Sequence, residues 1–117
     1  MTMREFYEKV GGDYDDVIKR FGAETMAERF NKKFLNDPSF QTLVSSLNDG
    51  LTEESFRAVH TLKGVCQNLG YGNLGKVSSD MTELLRAGSV DAAKDMLDSV
   101  KNEYDKVVEL ISKYFDK

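Results

Sequence analysis

The chain contains one histidine, His60, and one cysteine, Cys66. The residues after the histidine are Thr61-Leu62-Lys63-Gly64-Val65-Cys66-Gln67. A water-exposed imidazole is largely neutral at pH 7, so a ring nitrogen keeps its lone pair and can attack an acyl phosphate without an activating base. The product is a phosphoramidate carrying two negative charges, and a lysine one helical turn away partly neutralises it. Gly64 is an odd choice, because glycine inside a helix costs roughly 1 kcal/mol relative to alanine. Beside a reactive histidine it clears space for the active-site rim of another protein. Gln67 can donate a hydrogen bond to a phosphoryl oxygen or orient the imidazole, and both uses stay open.

These residues need an element that turns them to solvent together. A helical wheel over 52–69, at about 100° per residue with Phe56 as zero, separates two faces. Ala58, Val59, Leu62, Val65, Cys66 and Leu69 fall on one side as a buried stripe. His60, Lys63, Gly64 and Gln67 fall on the other. Thr52 is expected to cap this helix, with Glu53 and Glu54 in its first turn against the positive helix start. Leu51 and Phe56 stand at the two positions of a hydrophobic staple.

Apolar residues recur at three- and four-residue spacing along the whole chain, and no segment alternates like a strand. Short helices are predicted near 2–10 and 13–21, the second capped by Asp13. A helix near 23–36 would turn Ala23, Ala27, Phe30 and Phe34 inward. The next, near 38–48, carries Phe40, Leu43, Val44 and Leu47, with Asp37 as cap and Pro38 in its first position. Two more helices are expected near 73–87 and 90–115, joined by the short turn Arg86-Ala87-Gly88-Ser89. Their apolar residues, Leu74, Val77, Met81, Leu84 and then Ala93, Leu97, Val100, Tyr104, Val107, Ile111 and Tyr114, have the period of antiparallel bundle helices. The predicted fold is all-α, an up-and-down four-helix bundle with extra short helices at the N-terminal end, forming a single domain over 1–117.

Composition restricts the function. The 117 residues, 40% of them hydrophobic and 31% charged, suit one folded, well-solvated domain. A net charge of -4, from 16 basic and 20 acidic side chains, argues against nucleic acid or an anionic membrane as the main partner. A lone cysteine makes no internal disulfide and no metal site by itself. The N-terminal residues show no apolar stretch of the kind found in a signal peptide, and no run approaches the roughly 20 apolar residues that span a bilayer. The expectation is a cytoplasmic protein.

Three plainer readings compete. A lone helical histidine is commonly just a solvated side chain, and a lysine three residues on is common on any solvent face. A glycine inside a helix usually marks close packing, but here the wheel places it on the exposed side. An enzyme using His60 as nucleophile or base would need an orienting carboxylate, an oxyanion donor set and a pocket, none of which the sequence signals. A metal site is disfavoured because His60 and Cys66 lie on different faces and Arg57 occupies the place of the glutamate in a Glu-x-x-His pair. The alternative that stays open is a helical-bundle interaction module docking a partner through the His60 face, with Lys32 and Lys33 at its border.

The run His60-Thr61-Leu62-Lys63-Gly64-Val65-Cys66-Gln67-Asn68-Leu69-Gly70 resembles the signature of histidine-containing phosphotransfer (HPt) domains of the bacterial type: a histidine, two residues, Lys-Gly, then a Leu-Gly pair. Asp37-Pro38-Ser39-Phe40, Asn48-Asp49-Gly50, Phe56-Arg57-Ala58 and Leu84-Leu85-Arg86-Ala87-Gly88 carry the likeness outward, from about residue 11 to the C-terminus. The resemblance implies a four-helix bundle without kinase or phosphatase activity of its own, working as a monomer in two-component signalling. His60 would accept phosphate from the aspartate of a response-regulator receiver domain and pass it to another receiver, with a hybrid histidine kinase upstream. Transfer would use the imidazole nitrogen farther from the backbone, with Lys63 and Gln67 supporting the phosphoryl group and Gly64 giving the partner access. No cofactor is implied on this chain, since Mg²⁺ belongs to the receiver. Val65 and Cys66 replace the small residues of many members and face inward on the wheel. Thr82 stands where some members place a longer polar side chain, and no role is assigned to it.

Overall fold

The computed structural model describes residues 1–116. Among these residues there is no strand, and the helices are α1 (Met3–Lys9), α2 (Tyr14–Phe21), α3 (Glu24–Phe34), α4 (Ser39–Asn48), α5 (Thr52–Leu69), α6 (Gly72–Arg86), α7 (Val90–Asp95) and α8 (Leu97–Phe115). The all-α expectation is borne out. None of these helices is long and apolar enough to cross a membrane.

Local chemistry sets several of the boundaries. Thr2 and Glu5 form a reciprocal capping box at α1, each backbone N–H donating to the other's side chain at 3.0 Å. Asp13 caps α2 by accepting from the Asp16 N–H at 3.2 Å, and Gly22 ends that helix in the left-handed region at φ 86°. The start of α4 differs from expectation by one residue: Pro38 is the cap residue and Ser39 the first helical one, and Asp37, just outside the helix, accepts from the Ser39 N–H at 2.9 Å.

Three further local expectations need correction. Leu51, not Thr52, is the cap residue of α5, and no side chain caps that helix. Instead the Ser55 hydroxyl lies 2.9 Å from the Leu51 carbonyl oxygen and 3.0 Å from Ser46 Oγ, tying the start of α5 to α4. With the cap at Leu51 the staple register no longer matches, and Leu51 stays 43% exposed. In α3, Ala27 and Phe34 are buried, but Ala23 is the cap residue and Phe30 is half-buried, stacked on Phe21 with ring centroids 4.9 Å apart. The remaining inner position belongs to Asn31, which is 1% exposed.

The predicted single helix over 90–115 is broken at Met96. The Met96 N–H donates to the Ala93 carbonyl at 3.1 Å, an i→i−3 bond that tightens one turn between α7 and α8. The apolar stripe runs through Ala93, Leu97 and Val100 without interruption, so periodicity alone carries no sign of this break.

Helices α4, α5, α6 and α8 each neighbour the next. Phe40 of α4 closes the ring by stacking on Tyr104 of α8, with centroids 4.2 Å apart and planes 14° apart. Gln41 Nε2 also donates to the Tyr104 hydroxyl at 3.0 Å. The N-terminal helices cover one end, where Phe6 and Phe34 pack edge-on against Tyr71. There the α1–α2 turn crosses the α5–α6 turn backbone to backbone. The Asn73 N–H donates to the Val10 carbonyl at 3.0 Å. A Cβ on Gly12 would collide with the Gly70 carbonyl, and one on Gly72 with that of Gly11. The single glycine hydrogen at each position is what permits this crossing.

Candidate functional site

Helix α5 is held from behind and open in front. Val59 and Leu62 are fully buried and Cys66 is 1% exposed, while His60, Gly64 and Gln67 face solvent and Lys63 is half-buried. The wheel therefore places these side chains as the structure does, apart from the half-burial of Lys63 and Val65. A Cβ built on Gly64 meets nothing within 4 Å, so no helix packing within the chain calls for that glycine.

Among the described residues, no hydrogen bond or ion pair involves the side chains of His60, Lys63 or Gln67. The Gln67 backbone carbonyl accepts from Arg20 Nη2 at 3.4 Å, and Asn68's from Arg20 Nε at 3.1 Å, so an arginine from α2 ties off the end of α5. Gln67 lies two turns beyond His60, roughly 10 Å along the axis. It lines a groove with Lys76 and Ser79 of α6.

The contact made by the histidine ring is aromatic. The Phe56 and His60 rings are parallel, with centroids 5.7 Å apart and planes 4° apart. The Arg86 guanidinium lies 5.2 Å from the Phe56 ring centroid, and Arg86 Nε is 3.3 Å from Glu83 Oε2. Sequence reading missed this arrangement. Phe56 had been given a staple role, although it lies on the His60 side of the wheel at i−4, and that spacing was the available signal. No signal on α5 points to Arg86, which arrives from α6.

Two open grooves lie along the Arg57–Thr61–Val65–Asn68 side of α5. One, against α4, is lined by Pro38, Ser39, Thr42, Glu54, Arg57 and Thr61. The other, against α3, includes Phe30, Lys33, Asp37, Val65 and Asn68. Lys33 lines the second groove, with its ammonium 5.4 Å from the Phe30 ring, whereas Lys32 reaches the Phe115 ring at 5.3 Å. Thr82 is fully buried and its hydroxyl donates to the Ser78 carbonyl at 2.7 Å, which uses its proton inside its own helix.

The arrangement suits a nucleophile that meets its substrate on another molecule. Arg57 and Lys63 stand one turn before and after His60, so two basic side chains bracket it on α5. Burial pushes the Cys66 thiol up to about 12, with Asp37 adding to the shift, so this cysteine offers no thiolate at neutral pH. Among the described residues, no group of three or more His, Cys, Asp or Glu is placed to hold a metal ion.

Comparison with protein families gives a match to the model described as Hpt domain, over residues 35–110. The matched segment is more than half of the chain and runs from the end of α3 into α8. No solved structure matched the chain.

Proposed function

Since the chain belongs to the Hpt domain family, whose members carry phosphoryl groups on histidine rather than acting as kinases or phosphatases, we propose that His60 is the carrier residue of a phosphorelay between receiver domains. The observation that supports this most directly is the open ridge itself. It presents an exposed imidazole, a lysine one turn on, and a glycine with empty space around it.

In the proposed step, the Nε2 lone pair of neutral His60 attacks the phosphorus of a receiver aspartyl phosphate. The N–P bond forms as the P–O bond to the aspartate breaks, the carboxylate leaves with the electron pair, and the Nδ1 proton passes to water. Reversal of the same step delivers the phosphoryl group to a second receiver. Lys63 offsets the charge on the transferred group, and Gln67 supplies a neutral donor at the far rim. Gly64 lets the partner's active-site rim approach. The receiver brings Mg²⁺ and its acid chemistry, a hybrid histidine kinase supplies the first receiver, and the chain acts as one cytoplasmic, monomeric domain.

The test is incubation with a phosphorylated receiver, followed by mass-spectrometric location of acid-labile phosphate. Stoichiometric label on His60, lost in His60→Gln, is the expected result. Label that persists in His60→Gln refutes the assignment of the carrier residue. Receiver binding without any label on the wild-type chain favours an interaction module instead.

A further inference from the structure

We propose that Phe56 is a positioning residue for His60, holding the imidazole plane so that its outer nitrogen faces an incoming partner; this rests on the reading of His60 as phosphoryl carrier. The ring of an exposed histidine turns about two torsions, and the second has a broad profile. Among the described residues His60 has no hydrogen bond to narrow it. What faces the ring is Phe56, parallel within 4° at a centroid distance of 5.7 Å. Side chains on a helix lean toward its N-terminus, so the residue at i−4 lies one turn beneath the imidazole, on the same face of the helix.

The Phe56 ring is itself restrained. It is partly buried against the core, and the Arg86 guanidinium from α6 lies 5.2 Å from its centroid. Arg86 is in turn paired with Glu83 at 3.3 Å. The order of the bundle core therefore reaches the nucleophile through a phenyl ring, and the imidazole edge stays free of protein groups that would compete for its lone pair. Orienting a nucleophile before encounter raises the transfer rate without any contact to the phosphoryl group.

The experiment combines NMR of the His60 ring protons with transfer rates from a phosphorylated receiver, using the full chain. The ring current of a parallel phenyl ring at this distance moves the imidazole proton shifts away from those of free imidazole. Phe56→Leu is expected to bring those shifts back toward free imidazole and to slow transfer about three- to tenfold, equivalent to about 0.7–1.4 kcal/mol in the barrier. Phe56→Tyr, which keeps the aromatic face, should preserve both shift and rate. Wild-type ring protons at the shifts of free imidazole overturn the proposal, and so does a Phe56→Leu variant that transfers at the wild-type rate. The wild-type NMR arm decides even if Phe56→Leu fails to fold. A wild-type chain that shows the ring-current shift yet takes no phosphoryl group overturns the carrier reading, and with it the use of the stack, while the stack itself stands.

Discussion

The Tyr71 hydroxyl donates to Asn31 Oδ1, joining the α5–α6 turn to α3 through two side chains almost wholly removed from solvent. Asn31 Nδ2 donates in turn to the Tyr7 hydroxyl at 3.1 Å and approaches Met3 Sδ at 3.7 Å. One amide thus serves α1, α3 and the turn that ends the functional helix. Replacing Asn31 with Ala should cost about 2–4 kcal/mol, because it strands two buried phenols. Tyr71→Phe removes one hydroxyl and should cost less, about 1–2 kcal/mol. Urea unfolding of the two variants measures the difference, and an Asn31→Ala loss no larger than that of Tyr71→Phe contradicts the shared role of the amide.

Gly64 separates fold from function. Its Cβ would enter open space, so Gly64→Ala should stabilise the helix by about 0.5–1 kcal/mol. Under the proposed function the same methyl group stands in the partner's approach, and transfer from a phosphorylated receiver should slow. Thermal melting and transfer kinetics on one sample check both; a variant that gains stability at an unchanged rate removes the access role.

Lys63→Ala should slow transfer ten- to a hundredfold, about 1–3 kcal/mol for one charge-assisted contact in the transition state. Its ammonium forms no ion pair among the described residues, so stability should change by less than about 0.5 kcal/mol. Transfer at the wild-type rate in this variant would exclude Lys63 from the mechanism.

Alkaline pH should unfold the chain through its buried acids. Burial raises the Tyr7 phenol and the Cys66 thiol to about 12 each, and holds Tyr71 well above its ordinary value. The unfolded chain loses these protons first, so their contribution is complete below the unfolded values near 9–10 and is lost as pH rises toward 12. Denaturation midpoints measured from pH 8 to 11.5 should fall steadily above about pH 9. Cys66 should resist thiol reagents at pH 8 in the folded chain and react once unfolded.

Much of the site was legible because it lies on one helix. His60, Lys63, Gly64 and Gln67 share a face through the 3.6-residue period alone, and the buried stripe of Val59, Leu62 and Cys66 follows from the same geometry. The all-α class and seven of the helix segments were equally local in origin, set by apolar spacing, Asp13, Asp37 and the glycine turns. The eighth segment arose where spacing is blind: a tightened turn at Met96 leaves the apolar stripe of α7 and α8 continuous.

Tertiary packing decided what no single-helix period encodes. Asn31 reads as a polar residue in a helix, and only the convergence of Tyr7 and Tyr71 makes it a core residue. Phe56 reads as one apolar side chain among many until Arg86 arrives from α6 and the ring is found parallel to that of His60. The sequence by itself thus determined which residues face the solvent together, because that depends on backbone periodicity. The fold decided what holds the imidazole, because that depends on side chains brought near by chain reversal.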